Sequence, residues 1–353
     1  MIDKCSNDGI RKRSCPNCTL CGARGELLYQ DLKDHLFGVP GKWNLKRCLN
    51  PFCGLIWLDP MPLEEDIAKA YVKYYTHNDK NQDRNTVLTR LFHFVKKSYW
   101  AKKYGYLNDS VRGWKKLLSN LIYLHPLKKA QVDIAVMYLP AQAGGCLLDV
   151  GCGSGEWLKR MQDMGWHVEG IDFDPFAVEN AKKKGLPVHF GSLEAQNYPD
   201  NHFDAITMKH VIEHFHSPLQ VLRECHRILK PGAHLMVETP NSQSLGHRIF
   251  KQNWRGLEPP RHLQLMNMAA LKKAVKDAGF EIVSIRTLIT MSYMLCQSYG
   301  LSKNAASRNG EMQLASLESL IPKILAIMEL MFLWLNYNVG ENIVLMAKKS
   351  NDF

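Results

Sequence analysis

Residues 146–157 read CLLDVGCGSGEW, an apolar run that is followed by glycines at alternate positions. The pattern predicts a buried strand that turns sharply into a helix. The backbone N–H groups in the first turn of that helix have no intrahelical partner, so they are free to bind a ligand. The glycines of the turn are Gly151, Gly153 and Gly155.

The acidic residues around this turn indicate which kind of ligand it binds. A turn for a nicotinamide cofactor would have its third glycine one position later, where Glu156 stands. Asp149, just before the turn, suits an ammonium group better than a pyrophosphate. Asp172 ends the next predicted strand, where the acid of dinucleotide-binding folds accepts hydrogen bonds from a ribose.

Strand and helix patterns alternate over residues 141–288. An Asp174-Pro175 pair predicts a helix start, because aspartate caps a helix and proline suits its first position. Repeated strand–helix units predict an α/β fold, with a Rossmann-like, mostly parallel sheet covered by helices on both faces. The predicted strands are 146–150, 167–171, 187–190, 204–208, 234–238 and a closing strand at 342–347.

Four motifs in order resemble those of class I S-adenosylmethionine-dependent methyltransferases: LLDVGCGSGEW, GIDFDP, GSLEAQNYPDNHFDAITMKHVIEH and ILKPGAHLMVETPN. The resemblance covers residues 141–288 and the closing strand. It implies a seven-stranded sheet whose last strand is antiparallel, and S-adenosylmethionine as cofactor. It also implies that the three glycines line the methionine part, that Asp149 holds the ammonium group and that Asp172 holds the ribose. The residues that it places at the adenine are Phe173, Ser192 and Leu193.

Three histidines are candidates for a general base, because imidazole titrates near neutral pH. His210 and His214 follow the fourth predicted strand, and His262 lies in the Glu258–Leu263 loop after the fifth. The carboxyl ends of parallel strands form the ligand crevice of such a sheet. We expect His262 to be the base and Arg261 to orient an acidic substrate, while His210 and His214 either act in catalysis or shape the cofactor pocket.

Six of the ten cysteines lie in the first 53 residues. Two pairs, each followed by glycine, are Cys18–Cys21 and Cys48–Cys53. Four thiolates at this spacing suit tetrahedral zinc, and the pattern resembles a zinc ribbon. We expect a structural site, because four cysteine ligands leave no open position for a substrate. Cys15 is the spare thiol.

The net charge of +11 is concentrated in residues 86–140, which hold ten basic residues against Asp109 and Asp133. Aromatic residues alternate with the basic ones. Helical spacing of Leu88, Leu91 and Val95 favours a core-packing helix. The functional alternatives are contact with an anionic membrane surface, a lipid-linked phosphate or RNA.

These patterns divide the chain into four parts. They are a zinc-ribbon-like module (1–62), a basic helical connector (63–140), the methyltransferase domain (141–288 and 341–349) and a helical insertion near the substrate edge (289–340). The insertion contains an apolar segment, Leu314 to Trp334. No secretory signal or membrane span is visible, so a cytoplasmic location is expected, with contact at the inner membrane face as an option.

Three functions remain open at this point. The first is a methyltransferase for a small molecule, sugar or lipid-linked acceptor, with oxygen as the expected acceptor atom. The second is a ribosomal RNA methyltransferase that uses the zinc ribbon to bind its substrate. Against this second function, the chain lacks the Asn/Asp-Pro-Pro-aromatic motif of base methylation, since its fourth predicted strand ends in Met208-Lys-His. The third is a non-catalytic zinc-ribbon binding protein on the same fold, against which the intact glycine turn argues.

Overall fold

The computed structural model describes residues 2–3, 9–72, 87–106, 113–288, 293–306 and 338–350, and a few single residues between 324 and 335. These residues divide into two compact units. The first comprises Met1–Tyr74 and Met208–Phe353, and the second comprises Tyr75–Thr207. In the described part of the chain, no helix has both the length and the apolar character needed to cross a bilayer.

Two small antiparallel sheets belong to the first unit. One has the order β1-β2-β6 and the other the order β12-β5-β4-β3. The strands are β1 (Ile2–Asp3), β2 (Lys12–Arg13), β3 (Gly25–Leu32), β4 (Trp43–Cys48), β5 (Ile56–Leu58), β6 (Met61–Pro62) and β12 (Gln264–Leu265). The pairing of β12 with β5 joins the cysteine-rich segment to the loop that carries His262.

The large sheet has seven strands in the order β13-β14-β11-β10-β7-β8-β9. They are β7 (Cys146–Val150), β8 (His167–Asp172), β9 (Val188–Phe190), β10 (Phe203–Lys209), β11 (Leu229–Pro240), β13 (Phe280–Leu288) and β14 (Asn342–Lys349). Strands β7, β8 and β9 are parallel, whereas β14 runs antiparallel to both β11 and β13. This confirms the expected mixed sheet with an antiparallel last strand.

Eight α-helices are described. Asp174 caps α4 by accepting a hydrogen bond from the Phe176 N–H, and Pro175 occupies its first turn, as expected. Shorter 3-10 helices include Glu64–Tyr71 and Gly113–Leu124. The α-helices are α1 (Val87–Tyr104), α2 (Pro126–Ile134), α3 (Glu156–Asp163), α4 (Pro175–Lys183), α5 (Pro218–Ile228), α6 (Leu245–Phe250), α7 (Met268–Asp277) and α8 (Tyr293–Ala306).

The apolar segment Leu314 to Trp334 lies almost wholly outside the described residues, and the four domain boundaries stay predictions. Strand β11 begins at Leu229, five residues before the predicted start at residue 234, and helix α5 ends at Ile228.

Two tyrosines of the basic connector pack around a buried carboxylate. Asp133 on α2 is 1% exposed and accepts hydrogen bonds from the hydroxyls of Tyr99 and Tyr104. It also accepts from the ammonium groups of Lys103 and Lys129. Burial raises the pKa of Asp133, but these donors outweigh it and hold the pKa below its usual value. These side chains therefore form a core around Asp133 and do not form a stacking surface for RNA or lipid.

Replacing Asp133 with alanine is expected to lower the free energy of unfolding by about 3 kcal/mol, because two ammonium groups lose their buried partner. The depressed pKa stabilises the fold above the pKa of an unfolded aspartate, and this contribution disappears as the pH falls below about 4. Denaturant titrations at pH 7 and pH 3 measure both effects. The control is Asp163→Ala, which removes an exposed ion pair with Lys159 and should cost under about 0.5 kcal/mol. A loss below about 1 kcal/mol for Asp133→Ala would contradict the assignment.

Candidate functional site

The glycine turn lies between β7 and α3 in the second unit. Gly151, Gly153 and Gly155 all have positive φ angles, of 76°, 54° and 77°. A Cβ on Gly155 would lie 2.4 Å from Leu186 Cδ1, so this glycine is needed for packing. A Cβ on Gly153 would meet no atom within 4 Å. The turn therefore leaves open space beside Gly153, where a ligand can approach the backbone closely.

Two buried carboxylates flank this turn. Asp149, at 4% exposure, accepts a 2.6 Å hydrogen bond from the hydroxyl of Thr207. Asp172, at 8% exposure, accepts from the backbone N–H of Gly153 at 2.8 Å and of Asp174 at 2.9 Å. Each carboxylate oxygen has two lone pairs, so Asp172 can still accept from the hydroxyls of a ligand. Asp172 thus also holds the turn in shape, a role that the sequence did not reveal.

The three residues expected at the adenine differ in their exposure to solvent. Phe173 is half-buried directly after β8, and Leu193 is buried at 2% exposure. Ser192 is exposed, and its hydroxyl accepts a 3.3 Å hydrogen bond from the Ala195 N–H. All the residues expected at the cofactor belong to the second unit.

His210 lies in the first unit, at the end of β10, between two buried carboxylates. Its Nδ1 is 3.5 Å from Glu213 Oε1 and its Nε2 is 3.5 Å from Glu238 Oε1. Burial lowers the pKa of His210, but the negative charges of Glu238 and Glu213 outweigh it and raise the pKa to about 9. His210 is therefore an imidazolium at neutral pH. For Glu213 and Glu238, burial raises the pKa, but His210 reverses the shift and lowers both values to about 2.

His214 and His262 lie beside each other, with ring centroids 4.9 Å apart in an edge arrangement. His214 Nδ1 is 2.9 Å from the Arg261 carbonyl oxygen, and His262 Nδ1 is 2.7 Å from that of Gly256. A carbonyl can only accept, so each Nδ1 carries its proton and donates it. Both Nε2 atoms therefore keep a lone pair when the rings are neutral. Burial lowers the pKa of His262 to about 4, although Glu258 opposes the shift.

The expectation that Arg261 orients an acidic substrate is wrong. Its side chain is fully buried and forms ion pairs with Asp34 and Glu258, each at 2.8 Å. Arg261 also donates to the Ala70 carbonyl. It therefore connects the loop of His262 to the N-terminal segment and offers no charge to a substrate.

The four predicted cysteines come together in the first unit. The Sγ atoms of Cys18 and Cys53 are 3.7 Å apart, and those of Cys21 and Cys48 are 3.4 Å apart. A tetrahedral site with Zn–S bonds of about 2.3 Å separates its sulfurs by about 3.8 Å, so the observed distances fit a single metal ion. The glycine after each pair has a positive φ, of 73° at Gly22 and 63° at Gly54, as the two knuckles require.

Two groups of side chains among the described residues could hold a metal ion. One is the set of four cysteines, which matches the predicted ligands. The other is Glu213, His214 and His262, whose donor atoms lie within 4.8 Å of one another. The sequence predicts these histidines as bases, and the structure shows that they also form a possible donor set with Glu213.

Sequence reasoning missed several residues of these sites. Thr207 bonds Asp149, and Tyr71 places its hydroxyl 2.9 Å from His214 Nδ1. Asn342 donates to Glu238 and lies 3.2 Å from His210 Nε2. Glu238 is a signal that the sequence does contain, because it is a carboxylate directly after the apolar run Leu235–Val237. Tyr71 and Asn342 are far from His210 and His214 in the chain, and nothing local marks them.

The fold and the turn define a class of protein. A mixed seven-stranded sheet with an antiparallel last strand, a glycine turn after its first strand and an acid at the end of the second constitute the class I S-adenosylmethionine-dependent methyltransferase fold. A family described as a methyltransferase domain matches residues 125–285. Residues 125–285 are therefore similar to this family of methyltransferase domains.

Relatives with curated names support the same class. A probable S-adenosylmethionine-dependent methyltransferase of Mycolicibacterium smegmatis is 32% identical over 143 residues, 40% of this chain and 53% of the relative. A ubiquinone biosynthesis O-methyltransferase of Pseudomonas paraeruginosa is 35% identical over 106 residues, 28% and 46% of the two chains. The chain thus spans about half the length of these relatives. A solved S-adenosylmethionine-dependent methyltransferase from Archaeoglobus fulgidus is 20% identical, with a TM-score of 0.44 over 67% of this chain and all of that one.

Proposed function

We propose that this chain is an S-adenosylmethionine-dependent O-methyltransferase that acts on a small-molecule, sugar or lipid-linked acceptor. The glycine turn between two buried carboxylates carries the proposal, because it combines an open backbone approach with groups for an ammonium and a ribose. The O-methyltransferase names of several relatives support oxygen as the acceptor atom.

In this proposal the cofactor residues act by binding and orientation. Gly151, Gly153 and Gly155 admit the methionine part, Asp149 holds its ammonium group and Asp172 accepts from the ribose hydroxyls. The residues proposed to border the adenine are Phe173, Ser192 and Leu193. When bound, the cofactor supplies a methyl group on a sulfonium, which is already a strong electrophile. The protein therefore has to align the acceptor with this methyl group and exclude water.

The three histidines take different parts on the acceptor side. We propose that Nε2 of His262 removes the proton from the hydroxyl group of the substrate. Nδ1 of His262 is not available for this, because its N–H donates to the Gly256 carbonyl. His214 also has a lone pair on Nε2 when its ring is neutral, and the two rings lie against each other. His210 has no lone pair when it is protonated, and both of its ring nitrogens face carboxylates, so we propose that it shapes the pocket and does not act as a base.

Replacing His262 with alanine is expected to lower methyl transfer about 100-fold, the usual scale for losing a general base. The affinity for S-adenosylmethionine should stay within twofold, because the proposed cofactor residues belong to the other unit. Added imidazole should restore part of the lost rate, which a purely structural role would not allow. The matched control is His226→Ala on α5, where the ring packs against Phe280. Unchanged turnover of His262→Ala would show that the base lies elsewhere.

The function itself is tested by a transfer screen. Purified protein is incubated with S-adenosylmethionine labelled in the methyl group, together with nucleotide-sugar fractions, lipid extract or total RNA. We expect label in the first or second fraction, and mass spectrometry and NMR of the labelled product identify the acceptor atom. Label in RNA alone would overturn the acceptor class in favour of an RNA methyltransferase. Cofactor binding without transfer to any fraction would favour the non-catalytic alternative.

We further propose that Cys18, Cys21, Cys48 and Cys53 hold a structural zinc ion. The sulfur separations support one tetrahedral site, and four thiolates leave no position for a reacting molecule. The expected consequence is folding of the N-terminal segment around the metal.

A further inference from the structure

A cavity of about 670 Å³ lies in the first unit, beside the cysteine knuckle. Its walls come from strands β3 and β4, from residues 48–54 of the knuckle, and from the segment that runs from Ser242 after β11 through helix α6 to Lys251. This volume falls within the range of pockets that hold small organic ligands. Neither the cysteine cluster nor the histidines account for this cavity.

All the charged side chains that line this cavity are basic. Arg47, Arg248 and Lys251 line it, and none of its lining residues is aspartate or glutamate. All three side chains are exposed, and no ion pair joins them to another residue in the part of the chain that the structure describes. By contrast, a cavity of about 200 Å³ nearby in the sequence mixes Lys33 and Arg255 with acidic residues. The charged residues that line the larger cavity are therefore all basic.

The wall of this cavity also contains buried polar groups, and the ring of His247 is held in a fixed position there. Ser242 is 5% exposed, and its hydroxyl has no hydrogen-bond partner among the described residues. His247 donates from Nδ1 to the Ser242 carbonyl at 2.6 Å, and its Nε2 accepts from the Tyr29 hydroxyl at 3.1 Å. The ring of His247 stacks on Trp254 at 4.7 Å. Burial lowers the pKa of His247, and the charge of Arg47 lowers it further, although the hydrogen bond to the Ser242 carbonyl opposes the shift.

We propose that this cavity binds the phosphate or diphosphate group of a small molecule, through Arg47, Arg248 and Lys251. Guanidinium groups match phosphate oxygens in two-point contacts, and an ammonium adds a point charge. The segment from Ser242 follows the carboxyl end of β11, the side on which sheets of this type bind ligands. A diphosphate-linked sugar has the charge and the size that the cavity accepts.

One competing explanation comes from the cysteine knuckle itself. Cys48 borders the cavity, and a zinc ion with four thiolates carries a net negative charge that attracts cations. In that case the three basic residues would offset the thiolates and would bind no ligand. The two explanations differ in whether an added phosphate compound binds at these residues.

Calorimetric titration of the full, metal-loaded chain with uridine diphosphate tests the proposal. S-adenosylhomocysteine is present to fill the cofactor site, and a uracil nucleotide is used because that site is expected to take adenine. We expect micromolar binding at 50 mM salt that weakens as salt rises, weaker binding of pyrophosphate, and none of uridine. Arg47→Gln and Arg248→Gln should each weaken uridine diphosphate binding about tenfold, and the double variant about 100-fold.

The matched control is Arg223→Gln on α5, an exposed arginine outside this cavity, which should leave binding unchanged. No binding of uridine diphosphate or pyrophosphate, or equal loss in the control, would overturn the proposal. So would binding of an RNA oligonucleotide in the absence of any binding by the small phosphates. S-adenosylmethionine affinity is measured on the same samples, so failure of this pocket is distinguishable from failure of the methyltransferase function.

Discussion

Replacing Asp172 with alanine is expected to weaken S-adenosylmethionine binding about 100-fold. The carboxylate is proposed to accept from two ribose hydroxyls, and hydrogen bonds to a charged group contribute about 1.5–3 kcal/mol each. A combined loss of about 3 kcal/mol corresponds to a factor of about 100 in the dissociation constant. Calorimetry on the purified protein measures this change.

The same substitution removes the acceptor of the Gly153 and Asp174 N–H groups, so loss of the turn has to be separated from loss of the ribose contact. Asp172→Asn keeps one carbonyl oxygen and should weaken binding less than alanine does. Asp163→Ala, at the exposed end of α3, is the control for loss of a carboxylate. If Asp172→Ala bound the cofactor within threefold of the native affinity, the proposed ribose contact would be wrong.

Replacing Cys18 with serine is expected to reduce the zinc content from about one ion per chain to nearly none. Structural zinc contributes about 10–16 kcal/mol of apparent binding free energy in small zinc domains at pH 7, so its loss should unfold the N-terminal segment. Elemental analysis measures the metal, and limited proteolysis measures the exposure of residues 9–62. A strong chelator should reproduce the effect on the native chain.

The chain offers a close control for this experiment. Cys15 lies three residues before Cys18, is partly exposed and does not belong to the cysteine cluster, so Cys15→Ser should keep the zinc. Equal loss of metal in both variants would indicate a different ligand set. Full retention of metal by Cys18→Ser would contradict the four-cysteine site.

The methyltransferase fold and its glycine turn could be predicted because their causes are local. Positive φ angles at Gly151, Gly153 and Gly155 need residues without a side chain, and the apolar strand before them marks the sheet. The two cysteine knuckles are equally local, since each pair and its glycine form a single short turn. The structure confirms that these four cysteines lie together.

The histidines were less predictable, because their chemistry depends on residues distant in the chain. His210 was expected to be a base or a pocket residue, yet Glu238 on the neighbouring strand keeps it protonated. Arg261 was expected to face a substrate, yet Asp34, more than 200 positions earlier, pairs with it. In both pairs the partners are too far apart in the chain to belong to one local sequence motif.

The sequence by itself determined the α/β class, the glycine turn and the cysteine set, because short runs of residue type and spacing specify them. Only the tertiary structure decided the protonation of His210, the burial of Arg261 and the cationic cavity around Arg47 and Arg248. The physical reason is that charge and burial depend on which side chains meet in space, and folding brings these together from separate parts of the chain.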